Sequence, residues 1–173
     1  MIKPVISLPD KRLRQRSFEI VAFDQNLANL ISNLIDTLEA QTDPPGLGLS
    51  AVQIGVLKRV FVARIRNKIK PFVNPKILKF SQKEIAIIEG CLSIPDLYGH
   101  VIRPAELDLE AQDRYGKIIK NHYKGLAARV IQHEVDHLNG ALFIDHIHTQ
   151  NGKLFRVEKD KGGHEQFVEI VYA

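Results

Sequence analysis

Five residues, His133-Glu134-Val135-Asp136-His137, constrain this chain more than any other stretch. Imidazoles four positions apart share one face of an α-helix, about 40° from eclipsed at ~100° per residue. Both can therefore reach a single metal ion. Glu134, one residue along, can reach water at that metal without being a ligand. This is the H-E-x-x-H arrangement, in which two neutral nitrogens hold the metal and a carboxylate takes a proton. A surface helix carrying two solvated histidines satisfies the same spacing, so the rest of the chain has to supply a third ligand and leave a position open for water.

Downstream candidates are poor. One group of metalloproteases continues the motif to a third His. Here the pattern holds through Gly140 and then places Phe143 where that His belongs, while His146 falls a helical turn late. Glu158 lies in the charged run Glu158-Lys159-Asp160-Lys161-Gly162-Gly163, which has no apolar face and reads as an exposed loop. Upstream, Cys91 is the sole cysteine and has no intramolecular disulfide partner. It follows the apolar run Ile85-Ala86-Ile87-Ile88 within Glu89-Gly90-Cys91-Leu92-Ser93. A thiolate joined to two imidazoles leaves one coordination position for water. A lone cysteine is otherwise a small buried hydrophobe.

A third segment, Gly46-Leu47-Gly48-Leu49-Ser50-Ala51-Val52-Gln53, follows Asp43-Pro44-Pro45. Its glycines allow close backbone approach to an extended ligand, and the Gln53 amide can donate to a developing oxyanion. The third glycine and the lysine of a phosphate loop are missing.

Taken together, the three segments resemble peptide deformylase. That family carries G-x-G-L-A-A-x-Q, E-G-C-L-S and Q-H-E-x-D-H-L-x-G boxes in this order. Residues 46–53, 89–93 and 132–140 match them, with Ser50 standing where the family usually has Ala. The resemblance runs over roughly residues 1–150. It implies hydrolytic removal of the formyl group from the N-terminal N-formylmethionine of new polypeptides, with release of formate. The implied ligands are Cys91, His133 and His137, and the implied base is Glu134. Gln53 and the Leu92 N–H would stabilise the oxyanion. Gly46, Leu47, Ile87, Leu126, Val130 and the aliphatic stem of Arg129 would surround the methionine side chain. Leu47 and Gly90 would pair with the peptide backbone, and Gly48 and Arg103 complete the expected substrate-binding set. Arg103 could also pair with Glu89 to brace the Cys91 loop. One divalent cation is implied: ferrous iron in the cell, with zinc, nickel or cobalt as substitutes in purified protein.

The 173 residues are enough for one domain with a core, read here as a single catalytic domain over 1–173 with 151–173 an atypical tail. Asp24 is placed to cap an amphipathic helix whose apolar stripe is Leu27, Leu30, Ile31, Leu34, Ile35 and Leu38, ending near residues 42–45. Strands are predicted at 60–63, 71–74 and 77–80, and a hairpin turns at Asp113-Arg114-Tyr115-Gly116. Gly140 is placed to end the histidine helix. This order implies an α+β fold, mostly antiparallel strands around a central metal-binding helix with an amphipathic helix N-terminal to it.

A net charge of +4 comes from scattered Lys and Arg, without the one-sided clustering that sequence-specific nucleic-acid binding requires. No stretch approaches membrane-spanning length, and one cysteine without a secretory signal suits a bacterial-type cytoplasmic protein, an organelle being the alternative. The ribosome is a candidate partner. However, Gly162-Gly163 interrupts the tail and 167–171 reads as a strand, where many family members carry a helix. On the helix motif alone, another metal-dependent amide hydrolase or a non-catalytic binder of chain termini also fits.

Overall fold

The computed structural model describes residues 1–160 and 162–171; Lys161, Tyr172 and Ala173, all in the tail, lie outside the described residues. Helix α1 spans Gln25–Glu39, and the Asp24 carboxylate accepts from the backbone N–H groups of Asn26 and Leu27, which the first turn leaves without partners. Leu27, Ile31, Leu34 and Leu38 form its buried stripe. Each such side chain contributes roughly 1.5–3 kcal/mol by leaving water. The helix ends at Glu39, short of the position predicted from the proline pair.

Strands β1 (Gly48–Ser50), β2 (Val60–Ile65), β3 (Lys68–Phe80), β6 (Glu106–Gln112) and β7 (Ile118–Lys124) form an antiparallel sheet in the order β1-β2-β3-β6-β7. Its middle is buried on both faces because side chains alternate. Phe61, Ala63 and Ile65 of β2 face helix α2 (Gly125–Leu138), while Val60 and Val62 face α1. The predicted strands at 71–74 and 77–80 are one strand, β3, with register shifts against β6 between Val73 and Lys76 and between Ile77 and Lys79. Asn74 is in the left-handed region at the first shift, and its side chain bonds both the N–H and the carbonyl of Ile20. That long-range bond absorbs the irregularity which made the run read as two strands.

Strands β4 (Glu84–Cys91) and β5 (Ile94–Pro104) open a second antiparallel sheet, continued by β8 (Leu154–Lys159) and β9 (Glu165–Ile170) in the order β4-β5-β8-β9. Glu158 is thus in a strand rather than the loop its charged surroundings suggested. Pairing with β9 satisfies the backbone, and both faces of the hairpin stay largely open, so no apolar alternation marks it. A short helix α3 (Phe143–Thr149) packs Phe143 and Ile147 against Val101 and Ile94 of β5. Between the sheets, α2 ends at Leu138, and Gly140 follows at φ +78°, where a Cβ would meet the Arg14 carbonyl at 2.6 Å. The α+β architecture around a central helix is the one the sequence predicts. No helix among the described residues is long and apolar enough to cross a membrane.

Candidate metal centre and active-site cleft

Cys91 ends β4 immediately before the two-residue turn Leu92-Ser93, and pairs across it with Ile94. That turn brings the thiol against the face of α2 that carries His133 and His137. The sulfur and one ring nitrogen from each imidazole lie within 4.8 Å of one another, and Cys91 Sγ is 3.2 Å from His137 Nε2. Donors at ~2.0–2.3 Å from a shared tetrahedral ion sit about 3.5 Å apart, so this thiol–imidazole set fits one divalent metal with small adjustments.

The imidazoles are held differently. His133 Nδ1–H donates to Glu89 Oε2 at 3.0 Å, which leaves Nε2 for a metal, and its ring stacks on buried Phe143. His137 Nδ1 is buried with no hydrogen-bond partner among the described residues. Burial, then the proximity of His133, lower the pKa of His137 and favour its neutral ligand form. For His133 burial also pulls downward, but hydrogen bonds to Cys91 and Glu89 outweigh it and raise the group above its ordinary range. Metal binding must therefore displace a proton there, as at any thiol ligand. Affinity for zinc should fall as pH is lowered, with proton release on binding. Competition with a chelator and calorimetry in two buffers measure both, and a pH-independent affinity would contradict it.

Glu89 is the hub of a buried ionic cluster. It accepts from Arg103 Nε (2.7 Å) and Nη2 (3.0 Å), from Arg129 Nη1 (2.8 Å) and from His133. Burial would raise its pKa, but the hydrogen bonds from His133 and Arg103 hold it well below the usual carboxylate range. Arg103 also donates to Asp136 (2.6 Å), which His146 of α3 meets at 2.8 Å. The Glu89–Arg103 pair is present. Arg103 itself does not line the cleft, as expected of a substrate contact, but is buried behind it. Its charge is consumed by two carboxylates. His146, a helical turn too late for the third ligand, joins the same cluster because α3 follows α2 so closely.

In front of this cluster is a cleft of about 470 Å³, within the size usual for ligand sites. Gly46, Leu47, Gly48, Gln53, Ile87, Gly90, Cys91, Leu92, Leu126, Arg129, Val130, His133 and Glu134 line it, so apart from Arg103 and the deeper His137 the structure brings the sequence-selected residues together. The Arg129 guanidinium is turned inward to Glu89, Val101 and Ile85. In the 3-10 turn Ala51–Ile54, Gln53 Oε1 accepts the Ser50 N–H at 2.9 Å. This fixes the amide so that Nε2 faces Ser93 Oγ (3.2 Å) and Cys91 Sγ (3.6 Å). Glu134 is buried; desolvation pushes it up to about 7 against the downward pulls of His133 and of a hydrogen bond from Ser50. Sequence reading missed Tyr98, which lines the cleft opposite Gly90 in the β4–β5 register. The tight turn after Cys91 was the signal that could have found it.

Both walls are open sheet edges. Among the described residues β1 pairs only with β2, and β4 only with β5. An extended peptide between them can add to either edge.

A helix-borne His pair and a sheet-edge thiol that could share one metal, with a buried carboxylate beside a peptide-sized groove, are the parts of a metal-dependent amide hydrolase. A profile of the polypeptide deformylase family matches residues 2–153, ending before the β8–β9 hairpin. Peptide deformylase of Rhizobium meliloti is 44% identical over 151 residues, 84% of this chain and 85% of the relative. That of Agrobacterium fabrum is 47% identical over 151 residues, 84% and 87%. The crystal structure of peptide deformylase from Thermotoga maritima superposes with TM-score 0.80 at 35% identity, covering 84% of this chain and 97% of that one. The chain belongs to the polypeptide deformylase family.

Proposed function

We infer that this deformylase hydrolyses the formyl amide of N-formylmethionyl nascent polypeptides in the cleft between β1 and β4, the 1–173 chain acting as one catalytic unit. The observation that carries this reading is the convergence of Cys91, His133 and His137 beside Glu134 and Gln53 at the foot of a groove with two open edges.

Cys91, His133 and His137 would hold a divalent metal, which would supply Lewis acidity to the attacking water. Glu134 takes the proton of the attacking water and returns it to the departing amine. Gln53 Nε2 and the Leu92 N–H donate to the formyl oxygen as it gains charge, each worth ~3 kcal/mol in the transition state. The formyl carbon carries only hydrogen, so a close-walled site rejects acetyl by size. The peptide pairs with backbone at Leu47 and Gly90. Gly46, Leu47, Ile87, Leu126, Val130 and the Arg129 stem receive the methionine side chain.

The Cys/His₂ set suits ferrous iron, zinc, nickel or cobalt; ferrous iron is our assignment in the cell. A lone cysteine used as a metal ligand suits a reducing compartment, which favours the cytoplasm. The tail carries the β8–β9 hairpin, and we assign the formylated chain as the partner.

Protein loaded anaerobically with ferrous iron should release formate from a formyl-Met peptide and leave the unformylated peptide intact. Cleavage of the unformylated peptide without formate release would favour a peptidase instead.

A further inference from the structure

Ser50 occupies the position where the family's first box usually has Ala, and its hydroxyl lies 2.6 Å from Glu134 Oε2 and 3.1 Å from the Glu134 carbonyl oxygen. Both residues are buried. The hydroxyl has one proton to give, and the shorter contact, to a carboxylate oxygen, is the stronger acceptor. No other residue donates a hydrogen bond to that carboxylate among the described residues.

The placement follows from strand alternation. Leu49 points into the core shared with α1, so Gly48 and Ser50 point the other way, toward α2. At Gly48 a Cβ would lie 2.4 Å from Glu134 Oε1. β1 therefore meets the carboxylate twice, with bare backbone beside one oxygen and a donor at the other. The last torsion of a glutamate is broad and roughly two-fold, so nothing in the side chain itself fixes the plane of the carboxylate.

We propose that Ser50 is a positioning residue: its hydroxyl anchors Glu134 Oε2 so that Oε1, against Gly48 at the cleft wall, is the oxygen left to exchange the proton. This role rests on Glu134 acting as the base. Alanine fits the site, being the family's usual residue, but leaves the carboxylate free to turn.

The test is steady-state formate release from a formyl-Met peptide by cobalt-loaded wild type and Ser50→Ala, with metal stoichiometry and the cobalt absorption spectrum recorded. Ser50→Ala should lower kcat roughly tenfold, the effect of ~1.4 kcal/mol on the barrier, with KM within about twofold. Metal content and spectrum should match the wild type. In a Glu134→Gln background, under single-turnover conditions, Ser50→Ala should change the residual rate by less than about twofold, because the base it serves is gone. A purely structural role would slow both backgrounds alike, and that result would overturn the proposal, as would an unchanged kcat or a rise in KM alone. A crystal structure of Ser50→Ala gives a reading independent of activity: a Glu134 carboxylate turned from its wild-type plane supports the anchor, and an unmoved one contradicts it. If wild type releases no formate, the deformylase reading falls and this role with it; active wild type with unaltered Ser50→Ala removes Ser50 alone.

Discussion

Glu134→Gln should bind a full complement of metal and release formate ~10²–10⁴-fold more slowly, the range a positioned general base contributes. The substitution is close to isosteric, and its amide oxygen can still accept the Ser50 hydroxyl, so the fold and the Cys91–His133–His137 set should stay intact. What it loses is the ability to take a proton in a site where desolvation pushes the carboxyl up to about 7, against the pulls of His133 and Ser50. Residual turnover within about tenfold of wild type, with metal content equal, would remove Glu134 from the proton-transfer role.

Glu89→Ala should have the largest effect on stability. It would leave buried Arg129 with backbone carbonyls as its acceptors, leave Arg103 with Asp136 alone of its two carboxylates, and cut the tether on His133. Breaking a buried pair from one side costs about 3–5 kcal/mol, and loss of a hydrogen bond behind a metal ligand weakens affinity roughly 10–100-fold. Urea unfolding and zinc competition measure the two losses, and a change below about 1 kcal/mol would show that the cluster carries little of the fold's stability. The pH dependence follows from the depressed Glu89 carboxyl. Its contribution is fully present above the unfolded value of about 4.3 and is lost as pH falls from there through the lowered folded value. Wild type should therefore lose stability in that acid window faster than Glu89→Ala does.

The parts of this fold that could be read from sequence are those where one local pattern settles the structure. Asp24 and the Leu27-Ile31-Leu34-Leu38 stripe determine α1. The turn at residues 113–116 determines the β6–β7 hairpin. The histidine spacing and Gly140 define the working end of α2. Cys91 could be joined to that helix because it is the only thiol in the chain and lies in the Glu89–Ser93 box. What resisted reading depends on distant contacts. The irregular middle of β3 is held by Asn74 reaching Ile20, 54 residues earlier in the chain. The Glu89–Arg103 pair was legible, but the inward turn of Arg129 depends on Glu89 arriving from another element. The β8–β9 hairpin is held by backbone pairing with little burial, so its sequence resembles that of a loop. Ser50 was visible only as a departure from the usual box; its bond to Glu134 spans 84 residues and appears only once β1 lies along α2.

X-ray absorption of the zinc-loaded protein tests the central arrangement most directly. One sulfur at about 2.3 Å together with nitrogen or oxygen donors at ~2.0–2.1 Å, two of them imidazole by their multiple-scattering signature, is the result predicted for Cys91, His133 and His137. A metal shell with no sulfur would contradict it.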